Sequence, residues 1–404
     1  MLPLTARVDA RQGQAVPPTV VTGAPAQTPA PQKPPPAPFG LPGATTLRAP
    51  AAPVAPPKPP PPPPYAVRWT QPVDIPAASS IVATASAIVL GGNGTPLAAR
   101  AIQDGHELWK SDLVPTGPIV ASGALVFVPV DGGVRAVEAF TGTVRWTLQA
   151  PAPLSLAADA GRLIVAAGRT LRALALTDGT PAWQRDLPGE LRAGPAADTA
   201  LGAVALTDGS ILAFDPATGQ DVWRVAADLT ATSMAVTSKL VLIGTIDGNA
   251  CGLQTLRGAI AWCYPVRVPV IGSAAADQRF YYFAFLDNTV RALSPRGDLQ
   301  RRTNLAARPA DGPSLVGPHL IVPLATGEVA VLNAADGKVL LRLGQSPDQP
   351  TLEAVGVSPP DKLIATLTVS PGNTRTLTLF GPPMPPPAAP AAGRSGGAPK
   401  TGAR

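Results

Sequence analysis

Few residues in the 404-residue chain have the types and spacing that catalysis or metal binding needs. The two histidines, His106 and His319, lie far apart in the sequence and do not form the close group that a histidine-based metal site requires. Aspartates recur before glycine or asparagine, where turn formation explains them, and single aspartates fall short of the roughly six to eight oxygens that calcium takes. These are Asp131, Asp208, Asp247 and Asp287. We therefore expect no catalytic residue, no metal site and no cofactor.

The two cysteines are twelve residues apart and flank a turn at Gly258. On adjacent antiparallel strands, Cys251 and Cys263 would lie opposite each other within one residue, where a cross-strand disulfide is geometrically possible. Such a bond would indicate an oxidising compartment. Two small buried thiols are the alternative, and we favour the disulfide.

The net charge of +6 belongs to the two ends of the chain. Residues 1–64 carry +4 and residues 381–404 carry +3, which leaves residues 65–380 near −1. Because the central part has no surplus of basic residues, a nucleic-acid partner is not expected.

Both ends are rich in proline and poor in large apolar residues, so we expect a disordered tether over 1–64 and a disordered tail over 381–404. No run reaches the ~20 apolar residues that span a bilayer. The start, MLPLTARVDARQGQ, lacks the apolar core of a signal peptide, and no early cysteine offers a lipobox.

A repeat with a period of 37 to 40 residues organises the centre of the chain. Each copy contains short β-rich runs separated by turn residues such as Asp131-Gly132. Four antiparallel strands in ~40 residues are typical of a β-propeller blade. The glycines that mark the period are Gly105, Gly142, Gly179, Gly219, Gly258, Gly297 and Gly337.

Two incomplete segments lie at opposite ends of the repeats. Residues 65–73 contain the tryptophan of a fourth strand with no hairpin before it, whereas residues 350–380 contain three strand-like runs and lack a fourth. Together they complete an eighth unit, at 39.5 residues per unit for residues 65–380. The sequence predicts an all-β, eight-bladed propeller of four-stranded antiparallel blades, closed by the N-terminal strand.

The G-x-x-x-W pattern that follows an A-x-D/E-x-x-T-G run, as in AFDPATGQDVW, resembles the PQQ-type propeller repeat. With eight blades, the chain is most similar to BamB-type outer-membrane assembly lipoproteins, over residues 65–380 only. The resemblance implies that the tryptophans dock each blade against the next. Arg301 and Leu341 take that position in the sixth and seventh units, where we expect weaker docking. The tryptophans are Trp69, Trp109, Trp146, Trp183, Trp223 and Trp262.

The same resemblance implies a non-catalytic scaffold that binds a protein partner, with the outer-membrane β-barrel insertase as the candidate. It carries a Leu-Arg pair at the entry to a blade over to Leu191 and Arg192, and an acidic residue before the next blade over to Asp228. An ordinary blade-entry loop is the alternative for all three. We expect a monomeric propeller on the periplasmic side of the bacterial cell envelope.

Two other functions stay open at this point. An intracellular scaffold whose proline-rich ends recruit partners would suit a chain without a lipobox. A PQQ-dependent dehydrogenase-like enzyme is disfavoured, because such enzymes are longer and carry adjacent cysteines, which Cys251 and Cys263 are not.

Overall fold

The structure, a computed structural model, describes residues 63–383 apart from residues 93, 160, 345–350 and 359. The predicted N-terminal tether and C-terminal tail lie almost entirely outside the described residues. All the regular structure in the described part is β, in eight four-stranded antiparallel sheets that form the predicted propeller.

The first strand, β1 (Ala66–Val73), belongs to the last blade, and blades one to four follow it in the sequence. Blade one contains β2 (Ser80–Ala83), β3 (Ala87–Gly92), β4 (Thr95–Ala101) and β5 (Glu107–Lys110). Blade two contains β6 (Val120–Ser122), β7 (Leu125–Val130), β8 (Gly133–Glu138) and β9 (Val144–Gln149). Blade three contains β10 (Leu154–Asp159), β11 (Arg162–Ala167), β12 (Thr170–Ala175) and β13 (Pro181–Asp186). Blade four contains β14 (Leu191–Ala197), β15 (Gly202–Leu206), β16 (Ser210–Phe214) and β17 (Asp221–Ala226).

Blades five to eight repeat this arrangement. Blade five contains β18 (Ala231–Val236), β19 (Leu240–Thr245), β20 (Asn249–Gln254) and β21 (Ile260–Pro265). Blade six contains β22 (Val270–Ala276), β23 (Tyr281–Phe285), β24 (Thr289–Leu293) and β25 (Leu299–Asn304). Blade seven contains β26 (Ser314–Val316), β27 (His319–Pro323), β28 (Val329–Asn333) and β29 (Val339–Leu343). Blade eight contains β30 (Thr351–Ser358), β31 (Leu363–Val369), β32 (Arg375–Gly381) and β1.

The eighth blade closes the ring as the sequence predicts. Its strand order is β1-β32-β31-β30, so the first strand of the propeller pairs with the last. In this antiparallel pair Ala66 lies opposite Gly381 and Val73 lies opposite Arg375. The chain therefore enters and leaves the propeller at the same end of blade eight.

The apolar core lies between successive blades. Middle strands such as β3 and β19 are buried along their whole length, because a neighbouring blade covers each face of the sheet. Outer strands such as β9 and β17 bury mainly their tryptophan. One apolar cluster joins blades three and four, and another joins blades four and five.

The two ends of the blades form two faces. The first strands of successive blades contact each other around the centre of the ring. We call one end the entry face: it holds the turns between the second and third strands, and the connections between blades, such as residues 187–190 and 227–230. The other end, the terminal face, holds the remaining turns, such as residues 237–239 and 255–259, and both ends of the described chain.

Candidate partner-binding site

The seams between blades share one contact. The indole N–H of each tryptophan donates a hydrogen bond to a backbone carbonyl on a turn of the next blade, at 2.7–3.2 Å. The glycine of that turn has a positive φ, and a Cβ on Gly142 would lie only 2.8 Å from the Trp109 ring. Glycine is needed there because the ring and the turn backbone approach so closely. The accepting residues are Ile102, Ala139, Leu176, Pro216, Thr255 and Pro295.

Arg301 takes over this contact in blade six. One of its terminal nitrogens donates to the Ala334 carbonyl at 2.7 Å, and its guanidinium lies 4.6 Å from the centre of the Phe280 ring. Arg301 therefore makes the hydrogen bond that a tryptophan would make at this position. The sequence predicted weaker docking in this blade but not this bond. Leu341, at the same position in blade seven, carries no hydrogen-bond donor. It packs against the apolar cluster that joins blades seven and eight, in which Tyr65 is buried.

Leu191 and Arg192 begin β14, the first strand of blade four. Leu191 is half-buried and packs against the cluster between blades three and four. The neighbouring Arg192 is exposed, because successive residues of a strand point to opposite sides. Its Nε donates to the Ala231 carbonyl in blade five at 3.2 Å, and it makes no ion pair with any described carboxylate.

Asp228 lies in the connection that leads into blade five. It is exposed and has a φ of 49°, a left-handed conformation that aspartate tolerates better than most residues. Its Cα packs against Gly209, and the next amide, of Leu229, donates to the Gly209 carbonyl at 3.4 Å. Arg267 has a φ of 63° at the corresponding position of the next connection, so these two successive connections share this backbone shape.

Of the three residues carried over from the family, Arg192 and Asp228 thus lie on one part of the entry face, where blade four meets blade five, and Leu191 lies beside them at the seam between blades three and four. The bond from Arg192 to Ala231 and the contact of Asp228 with Gly209 both hold the connection between these blades. A partner could contact Arg192 and Asp228, whereas Leu191 offers only part of its side chain. We refer to this region as the blade-four surface.

An ion pair lies beside the blade-four surface. A terminal nitrogen of Arg224 lies 2.7 Å from Asp208 Oδ2, and Ser210 donates to Asp208 Oδ1 from its hydroxyl and its amide. The hydrogen bonds from Ser210, with the charge of Arg224, hold the pKa of Asp208 below its usual range. Asp208 is therefore an anion at neutral pH, and it is held by its own hairpin.

The sequence reasoning missed two neighbours of this surface. Ile246 is 52% exposed, and its amide donates to the Thr230 carbonyl at 3.2 Å. The next residue, Asp247, accepts a hydrogen bond from the Thr230 hydroxyl. The sequence did show an apolar residue, Ile246, directly before an Asp-Gly turn. Whether that residue is exposed depends on where the next blade packs, which the sequence does not show.

The other residues considered for chemistry lie apart from one another. Cys251 and Cys263 face each other in register on β20 and β21 and are joined by a disulfide. The amide and Nδ1 of His106 donate to Asp104 Oδ1 at 3.1 and 2.6 Å, and His319 lies in blade seven. Among the residues that the structure describes, no group of three or more metal-binding side chains is found, and no helix is long and apolar enough to span a membrane.

Eight four-stranded blades with a repeated Trp–Gly contact between them define a β-propeller of PQQ-like repeats. A family model described as "Outer membrane protein assembly factor BamB" matches residues 92–208 and 207–356, about two thirds of the chain. The chain belongs to this family.

Individual relatives are distant. The BamB protein of Nitrosomonas eutropha is 26% identical over 177 residues, which cover 41% of this chain and 43% of that protein. The serine/threonine-protein kinase AfsK of Streptomyces griseus is 29% identical over 35% of this chain and 20% of its own length. The matched part thus spans less than half of either relative.

The comparison with solved structures supports the fold alone. The crystal structure of BamB from Moraxella catarrhalis has a TM-score of 0.58 and 19% identity, and the match covers 78% of this chain and 97% of that one. At this identity the agreement concerns the propeller and does not extend to the residues of a binding site.

Proposed function

We propose that the chain is a non-catalytic binding scaffold of the bacterial cell envelope that assists the assembly of outer-membrane proteins. Family membership supports the class of function, and the exposed Arg192 and Asp228, grouped on the blade-four surface, support the place of binding. The proposed partner is the periplasmic part of the outer-membrane β-barrel insertase.

The same proposal includes the organisation of the chain. Residues 65–380 form the binding domain, while residues 1–64 act as a tether and residues 381–404 as a tail. We propose a monomer on the periplasmic side of the envelope, because β1 closes the ring within one chain and no second copy is needed.

Photocrosslinking in intact host cells tests the function. A photoreactive amino acid replaces Arg192 or Asp228, one at a time, and Lys338 on the terminal face is the matched exposed control. The expected result is a crosslink to the insertase from the first two positions and none from the third. If neither Arg192 nor Asp228 yields this crosslink while the variants stay folded, the proposed partner or surface is wrong.

A further inference from the structure

Cations on the terminal face pair with carboxylates in several blades. Arg100 lies 3.1 Å from Glu107 in blade one, and Arg145 lies 2.5 Å from Glu138 in blade two. Lys338 and Asp336 form a 3.6 Å pair in blade seven. Each of these three cations therefore has a carboxylate partner.

Blades five and six differ from this pattern. Four exposed cations lie on their terminal-face turns, and none of the four makes an ion pair with a carboxylate in the described part of the chain. Among the described residues, the Arg257 side chain has a hydrogen bond only to the Gln254 side chain. The four are Lys239, Arg257, Arg279 and Arg296.

The two carboxylates on these turns, Asp277 and Asp298, are held within the turns themselves. Asp277 Oδ1 accepts hydrogen bonds from the amides of Arg279 and Phe280, each at 2.7 Å, and Oδ2 accepts from the Tyr282 hydroxyl at 2.8 Å. Asp298 Oδ2 accepts from the Ser294 hydroxyl, and the Asp298 amide donates to the same hydroxyl oxygen, both at 3.2 Å. Even counting both carboxylates, four cations leave this patch at a net charge of +2.

A crevice of about 370 Å³ lies within the patch. Lys239 lines it from blade five and Arg279 lines it from blade six. The Ser238 hydroxyl adds a hydrogen-bonding group, whereas the Thr237 hydroxyl is already bonded within its own turn. The Asp277 carboxylate also lines the crevice, with both oxygens bonded in its own hairpin, and Tyr281 lies at the buried side. An anionic side chain entering the crevice would meet a cation from each blade.

An apolar residue stands beside the cations. Leu256 is 89% exposed at the tip of its turn, next to Arg257. The carbonyl of Lys239 accepts hydrogen bonds from the amide and hydroxyl of Thr255, which joins this tip to the crevice. Cations, a crevice and an exposed leucine thus form one continuous surface, which we call the cationic patch.

We propose that the cationic patch binds an acidic segment of a second protein, one that carries clustered carboxylates with an apolar residue between them. Opposite charge would guide the segment to the patch, and the crevice would hold one of its carboxylates. A crevice between two turns suits a projecting side chain better than the plane of a bilayer. This binding goes beyond the proposed function, since it uses other residues on the opposite face.

Fluorescence anisotropy with the full chain tests the proposal. The probe is a short labelled peptide of glutamate and leucine, and the same peptide with glutamine in place of glutamate is the ligand control. The wild-type chain is expected to bind only the acidic probe, and to bind it more weakly as salt rises from about 50 mM to about 300 mM. Lys239→Gln with Arg279→Gln should weaken binding roughly three- to tenfold.

The control variant is Lys338→Gln, an exposed terminal-face cation that already has a carboxylate partner; it should bind as the wild type does. Equal affinity for the acidic and the glutamine peptide, or no loss in the double variant, would overturn the proposal. Binding to vesicles with anionic lipid but not to the peptide would also overturn it. The double variant should keep the Arg192 crosslink, so failure of either proposal can be told from failure of the other.

Discussion

The indole nitrogen of Trp69 donates to the carbonyl of Ile102 at 2.9 Å, and this bond joins the last blade of the ring to the first. Trp69 also lies on the only strand of blade eight that comes from the beginning of the propeller. The stability of the whole ring should therefore depend on a residue close to its N-terminal end.

Replacing Trp69 with alanine should destabilise the propeller by about 3–5 kcal/mol, because the change removes a buried ring and its seam hydrogen bond. Urea unfolding measures the effect. Val67→Ala, on the same strand but 57% exposed, is the control and should change stability little. Similar unfolding curves for the two variants would mean that the packing of Trp69 on β1 does not stabilise the closed ring.

Arg301→Met should destabilise the chain by about 1–3 kcal/mol, because it removes the charged donor to the Ala334 carbonyl and the cation from the Phe280 ring. The Tyr282 hydroxyl, 3.0 Å from the same carbonyl, stays in place. Arg302→Met is the matched control, since Arg302 is exposed and its pair with Asp287 is 3.4 Å long. Thermal unfolding of both variants measures the difference. If Arg301→Met unfolds no earlier than Arg302→Met, the arginine does not replace a docking tryptophan.

The disulfide between Cys251 and Cys263 closes a short loop, so replacing both with serine should lower stability by about 3 kcal/mol in the chain-entropy account. Thiol counting on denatured, unreduced protein from the native host should give no free thiols, and two after reduction. Finding two thiols before reduction would show that the bond is not formed in the cell.

Stability should fall as pH drops below about 6.5. Burial, followed by the charge of Lys362, holds the pKa of His319 below its usual value, and the Tyr65 ring packs against it at 5.4 Å. The unfolded chain then binds the proton more readily than the folded chain, so the contribution is present above that pH and is lost below it. The fall in melting temperature between pH 7.5 and pH 5.5 should be smaller in His319→Gln than in His106→Gln, the control variant at the other histidine.

The sequence carried enough information for the architecture. Regular glycine spacing predicted the blades, and the unpaired strand around Trp69 predicted the closure, because both follow from the local pattern of strands and turns. Arg301 shows the limit: a guanidinium can reach the same carbonyl as an indole, which a pattern of residue types does not reveal.

The candidate surfaces were less accessible from the sequence. Leu191, Arg192 and Asp228 were found by resemblance, but the exposure of Ile246 and the bond from Arg192 to Ala231 depend on how two blades pack. The cationic patch was not predicted, because the net charge hides it. Its charge becomes evident only once the turns of blades five and six are placed side by side in the fold.

The pairing of β1 with β32 sets an order of events during synthesis. The ribosome makes Ala66–Val73 about 300 residues before the strand that this segment joins. At roughly 5–20 residues per second, that delay is on the order of 15–60 seconds. Throughout it the segment has an open strand edge, a state that invites wrong pairing. A chaperone bound to the nascent chain would have to cover this edge until β32 has been synthesised.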